Sequence, residues 1–85
     1  MYNGHKNWNH WNISLWINGD ENIYTWAREL VREMGADKAA EHIAQIMGGE
    51  KTPDGGVYNK TAIRAALRGI LVHMRQSTYR NRRRW

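Results

Sequence analysis

The chain has 85 residues, no cysteine, 41% hydrophobic side chains and a formal net charge of +5; these totals exclude a multidomain protein, a disulfide framework and a thiolate zinc site. Its apolar runs fall well short of a membrane span and no secretory signal opens it, so a cytoplasmic location is expected. The charge is divided: residues 1–54 carry eight acids and five bases (−3), whereas residues 55–85 carry eight bases and no acid (+8).

Residues Met1–Lys6 read as a short polar arm. The stretch Asn7–Trp26 then holds four of the five tryptophans, Trp8, Trp11, Trp16 and Trp26. Each indole brings a large apolar surface and one N–H that needs a partner. Trp8, Trp11 and Leu15 share one side of a helical projection, and Ile13, Trp16 and Ile17 the other. Such a helix either packs on both sides or packs on one and offers the second to a partner. A strand register competes, because Trp11, Ile13, Leu15 and Ile17 alternate with other residues. The helix is preferred: Trp8 extends the three-four spacing, Asn7 is a good N-cap, and the alternation fails at Trp16. Asn3, Asn7, Asn9, Asn12 and Asn18 supply amides that can satisfy indole N–H groups or line a recognition surface.

Gly19 is expected to end this helix in a left-handed turn, and Asp20 to cap the next. Residues 21–34 form an amphipathic helix, with Ile23, Ala27, Leu30, Val31 and Met34 inside and Arg28, Glu29, Arg32 and Glu33 on an ordinary solvated face. Gly35 stops it. Asp37 is expected to cap a third helix, Lys38–Met47, with Ala39, Ala40, Ile43, Ile46 and Met47 on its apolar side. A glycine-rich loop follows, built around the turn signal Thr52-Pro53-Asp54-Gly55. It lacks the lysine-serine ending and preceding strand of a phosphate-binding loop. Asn59 or Thr61 caps a last helix, Lys60–Thr78, whose stripe is Ile63, Ala66, Leu67, Ile70, Leu71 and Met74. Arg64, Arg68 and Arg75 lie together roughly 100° round the axis from that stripe. The fold class expected is all-α: a compact single domain of about four helices over residues 1–79, its long basic C-terminal helix preceded by the glycine-rich loop, and a basic tail at 80–85.

No catalytic set emerges. His5, His10, His42 and His73 lack paired metal-ligand spacing, and no Ser-His-Asp or Cys-His group can be assembled, so no metal, cofactor or enzymatic activity is expected. The arginines carry a sharper reading. Guanidinium groups pair with phosphate through two donors, so Arg64, Arg68 and Arg75, continued by Arg80, Arg82, Arg83 and Arg84, can track a nucleic-acid backbone while Tyr79 and Trp85 stack on bases. The plainer reading is a solvated flank and a solubilising end. A further reading has the same cations steer an acidic protein partner. The tryptophans divide similarly, between core that knits the helices together and an interface patch, and the two are compatible if Trp8 or Trp16 straddles the edge.

Two blocks of residues carry a resemblance. The first is Tyr2-Asn3-Gly4-His5-Lys6-Asn7-Trp8, with Trp11-Asn12, Leu15-Trp16-Ile17, Asp20-Glu21 and Tyr24. The second is Thr52-Pro53-Asp54-Gly55 with Thr61-Ala62-Ile63-Arg64-Ala65-Ala66-Leu67. Together they resemble a family of small bacteriophage and prophage proteins. Gly19 departs from the polar residue expected before the Asp-Glu pair, and the RNRRRW ending is particular to this chain. The resemblance implies a setting and no catalytic residue: small phage proteins of this kind often bind and disable a host complex, including restriction and CRISPR machinery. The leading expectation is therefore a non-enzymatic phage-type protein that occupies a surface on a host protein or nucleoprotein complex. Arg64, Arg68, Arg75, the tail arginines and Trp16 are its candidate contacts. The alternatives are a nucleic-acid-binding accessory protein and a structural or assembly component, the latter marked by homo-oligomerisation.

Overall fold

The computed structural model describes residues 7–83, with side chains described through residue 74. Three helices make up the described fold: α1 (Trp8–Gly19), α2 (Glu21–Met47) and α3 (Lys60–Arg83). Each begins on a side-chain cap. The Asn7 carboxamide oxygen accepts from the His10 N–H at 2.9 Å, Asp20 accepts from Ile23 N–H at 3.0 Å, and Asn59 accepts from Ala62 N–H at 2.9 Å. These bonds satisfy N–H groups that no intrahelical carbonyl can reach.

Two local expectations are corrected at the helix joints. Gly19 is not left-handed: it stays in α1, and Asp20, in an extended conformation (φ −96°, ψ 115°), both closes α1 and caps α2. Four helices become three, because the chain leaves helical geometry at Gly35 alone (φ 82°, ψ 165°) and resumes at once within α2. A single residue suffices to redirect the axis, so no connecting loop intervenes. Asp37 accordingly caps nothing; its carboxylate reaches across to Arg68.

The Gly35 conformation lies in a region that is essentially restricted to glycine. A Cβ built there meets nothing within 4 Å, so an alanine would suffer backbone strain without a clash. Gly35→Ala is expected to cost about 1–3 kcal/mol in urea denaturation. An unchanged midpoint would mean that the break in α2 is not needed by the fold.

The buried core is isoleucine and alanine. Ile13 and Ile17 of α1 meet Ala27, Leu30, Val31, Ala39, Ala40 and Ile43 of α2 and Ala62, Ile63, Ala66, Leu67 and Ile70 of α3. The alanines let α3 approach α2 closely, and α3 also packs on α1. The tryptophans are not the centre of this core. Trp11, Trp16 and Trp26 are half-buried at its margin, and Trp8 is 36% exposed. Ile46, expected inside, is 58% exposed.

At the other end of the chain, α3 does not stop at Thr78. It continues to Arg83, so Arg80, Arg82 and Arg83 lie on the helix and not on a separate tail. No glycine or proline interrupts this stretch, arginine is a good helix former, and cations are favoured near a helix C-terminus. No helix among the described residues is long and apolar enough to cross a membrane.

Candidate functional site

Three side chains of α1 hold the segment between α2 and α3. Asn9, Asn12 and Trp16 recur at intervals of three and four, hence on one face. The Asn9 amide accepts from Val57 N–H at 2.7 Å and donates to Val57 C=O at 2.9 Å. It thus serves the backbone as a neighbouring strand would. Asn12, fully buried, accepts from the Thr52 hydroxyl at 2.5 Å and donates to Asp54 Oδ2 at 3.0 Å. Trp16 Nε1 donates to the same oxygen at 2.9 Å.

The segment so held is a tight reversal. Gly55 N–H donates to Thr52 C=O at 2.9 Å, Thr52 N–H to Gly56 C=O at 2.8 Å, and Tyr58 N–H to Glu50 C=O at 2.9 Å. Gly56 N–H also donates to the Thr52 hydroxyl at 3.0 Å. Glycine is required at 56 because a Cβ there would overlap Asn12 Oδ1. Hydrogen bonds from Trp16 and then Asn12 hold the Asp54 carboxyl below its ordinary pKa, outweighing a small opposing effect of burial. Burial, followed by the negative charges of Asp20 and Glu50, pushes the Tyr58 phenol up.

This arrangement is internal scaffolding, and it decides which side of α1 faces out. Trp16, a candidate contact residue, has its indole N–H engaged by Asp54. The adjoining face, about 100° round the axis and turned away from the buried Ile13 and Ile17, presents Trp8, 36% exposed, and Leu15, 47% exposed, with the half-buried Trp11 between them. Trp11 and Leu15 border a shallow depression of about 360 Å³ with Ser14, Asn18 and Gly19. Within it the Asn18 amide donates to the Ser14 carbonyl at 2.8 Å. Nothing in α1 carries a carboxylate, ammonium or guanidinium, so this face combines exposed apolar side chains with neutral polar ones. The pairing of Trp8, Trp11 and Leu15 is visible in the sequence as spacing; that this is the outward side is not.

The second surface lies on α3. Arg64 and Arg68 are exposed one turn apart. Arg68 forms a solvent-exposed ion pair with Asp37 at 3.5 Å and lines a depression of about 340 Å³ with Ala36, Asp37, Leu71 and Val72. Arg75, Arg80, Arg82 and Arg83 belong to the α3 backbone, but their side chains lie outside the described residues, as does Arg84 altogether. Elsewhere His42 packs against Trp26 in a T-shaped arrangement with ring centroids 6.4 Å apart. Among the described residues no group of His, Asp or Glu is placed to hold a metal.

The chain belongs to a family of unknown function (DUF7249), whose model matches residues 1–76. No curated protein and no solved structure matches it.

Proposed function

We propose that this DUF7249 protein is a non-enzymatic binding protein of phage type, acting in the host cytoplasm by occupying a surface on a host protein or nucleoprotein complex. A counter-defence inhibitor, such as an anti-CRISPR or antirestriction protein, or another host-takeover factor fits that description. The observation that carries the reading is the outward face of α1: two large apolar side chains, Trp8 and Leu15, exposed on a helix without formal charge while Asn9, Asn12 and Trp16 on the adjoining face are engaged by the segment that follows α2. Desolvated aromatic anchors of this kind dominate protein interfaces. Trp16, bonded to Asp54, serves this reading by positioning α1.

The experiment is affinity purification of the tagged chain from host cells, with and without nuclease, beside a Trp8→Ala/Leu15→Ala variant. A defined host protein should be retained after nuclease treatment, and the double variant should lose about 2 kcal/mol or more of binding while keeping its melting temperature. Equal retention of that protein by the variant would remove the α1 face from the account.

A second reading rests on the exposed Arg64 and Arg68 of α3: direct contact with the phosphates of DNA or RNA, extended by the arginines that follow.

A further inference from the structure

We propose that Lys60, Arg64 and Arg68 form one phosphate-tracking edge for nucleic acid, and that Asp37 is a built-in competitor that weakens it. This inference rests on the second reading above and is independent of the α1 face.

All three cations are exposed, and they recur every fourth residue on a continuous helix. Each step advances the edge by roughly 6 Å. A nucleic-acid strand offers anions at a comparable repeat, about 3.4 Å of axial rise and more along the winding backbone. Residues 55–85 contain no carboxylate side chain, so repulsion from the edge's own helix is absent. An acidic protein is the poorer fit, because an interface of that type centres on desolvated apolar anchors. Along this edge the exposed apolar neighbour is Val72.

Asp37 interrupts the pattern. It stands just beyond the Gly35 break, which brings the second half of α2 alongside α3, and its Oδ1 lies 3.5 Å from Arg68 Nη2. That is long for a charge-assisted bond, which usually spans about 2.7–2.9 Å. Both side chains are well exposed, at 62% and 68%, so water screens the pair and the attraction is small. A phosphate can offer Arg68 two oxygens in a fork geometry and displace this carboxylate. Asp37 therefore lowers affinity without closing the site.

The test is fluorescence anisotropy of the full chain with labelled duplex DNA, single-stranded DNA and single-stranded RNA of equal length. Salt is varied over roughly 50–200 mM. Affinity should fall linearly on a log-log plot for at least one of these probes, and the probe that binds identifies the form of nucleic acid. Arg64→Ala should weaken binding and reduce the salt slope by about 1. Asp37→Asn should tighten binding by about two- to fivefold, the range of an exposed ion pair. Glu33→Gln, which removes an equal charge from an exposed position of α2 while leaving the Arg68–Asp37 pair intact, should change it less, because the attraction falls with distance. Trp8→Ala/Leu15→Ala should bind like the unaltered chain, so that failure of this proposal and failure of the α1 reading are separable. Absence of binding to all three probes would overturn the inference. Equal effects of Asp37→Asn and Glu33→Gln would remove the competitor role. Tighter capture of poly-glutamate than of any nucleic acid would replace it with an acidic protein partner.

Discussion

Asn12→Asp should destabilise the domain by about 3–5 kcal/mol at pH 7, the range for an uncompensated buried charge. The substitution keeps the shape of the side chain and removes its donor. The Nδ2 that now donates to Asp54 Oδ2 becomes an oxygen facing another oxygen, at a position with no solvent exposure. The pH dependence gives the diagnostic sign. Burial and the neighbouring Asp54 raise the folded-state pKa of the introduced carboxyl above its unfolded value of about 3.9. Stability linked to it is complete below the unfolded value and is lost as pH rises through the folded one. Asp54 in the unaltered chain runs the other way: its depressed folded pKa contributes stability above the unfolded value, lost as pH falls through the folded one. Urea denaturation between about pH 4.5 and 7 should therefore show the variant gaining on the unaltered chain as the solution is acidified. A pH-independent difference over that range would mean that the introduced carboxyl is not held against Asp54, and would overturn the assigned role of Asn12.

Leu67→Ala should cost about 2–5 kcal/mol. Leu67 is fully buried at the middle of α3, in the same cluster as Ile63 and Ile70, and truncation leaves a cavity that the alanines around it cannot fill. For a chain of this length each kcal/mol lowers Tm by about 4–8 °C, so a loss of 10 °C or more is expected by calorimetry. Val72→Ala, one turn and a residue further on and 52% exposed, should stay within about 0.5 kcal/mol. Comparable losses for the two would contradict the assignment of the α3 stripe to the core.

These two positions represent the two ways the fold is secured. Leu67 belongs to apolar burial between helices, and Asn12 to a polar clamp between α1 and the turn at Thr52–Gly56. The clamp bears on the proposed function because it helps to fix the rotation of α1. With Asn9, Asn12 and Trp16 turned toward the segment that contains Asp54 and Val57, the side bearing Trp8 and Leu15 faces solvent. The proposed binding face and the clamp are thus adjoining sides of one short helix, and loss of the clamp should also disorganise the face.

Much of the helical scaffold was legible locally. Asn7, Asp20 and Asn59 cap because a short polar side chain ahead of an apolar repeat can reach orphan N–H groups, and that is a matter of a few neighbouring residues. Ile63, Ala66, Leu67 and Ile70 were recognisable as an inward stripe because they recur at three and four while the arginines of α3 gather on a separate flank, so its period points in one direction. The exposed line of Arg64 and Arg68 follows from the same period.

Tertiary structure decided the rest. Nothing charged breaks the symmetry of α1, so its spacing named two apolar sides without saying which is inside. That choice came from partners some forty residues away, Thr52, Asp54 and Val57, whose bonds no local pattern encodes. Gly35 read as a stop; the packing of Ala36, Ala39 and Ala40 into the core made it a one-residue break within α2. Asp37, a plausible cap by sequence, was released from that role by the break and placed against Arg68. The residues alone determined where α1, α2 and α3 start and most of the apolar stripe of α3, because those depend on neighbours within a turn. Only the folded chain determined the rotation of α1 and the company Asp37 keeps, because both depend on contacts distant in sequence.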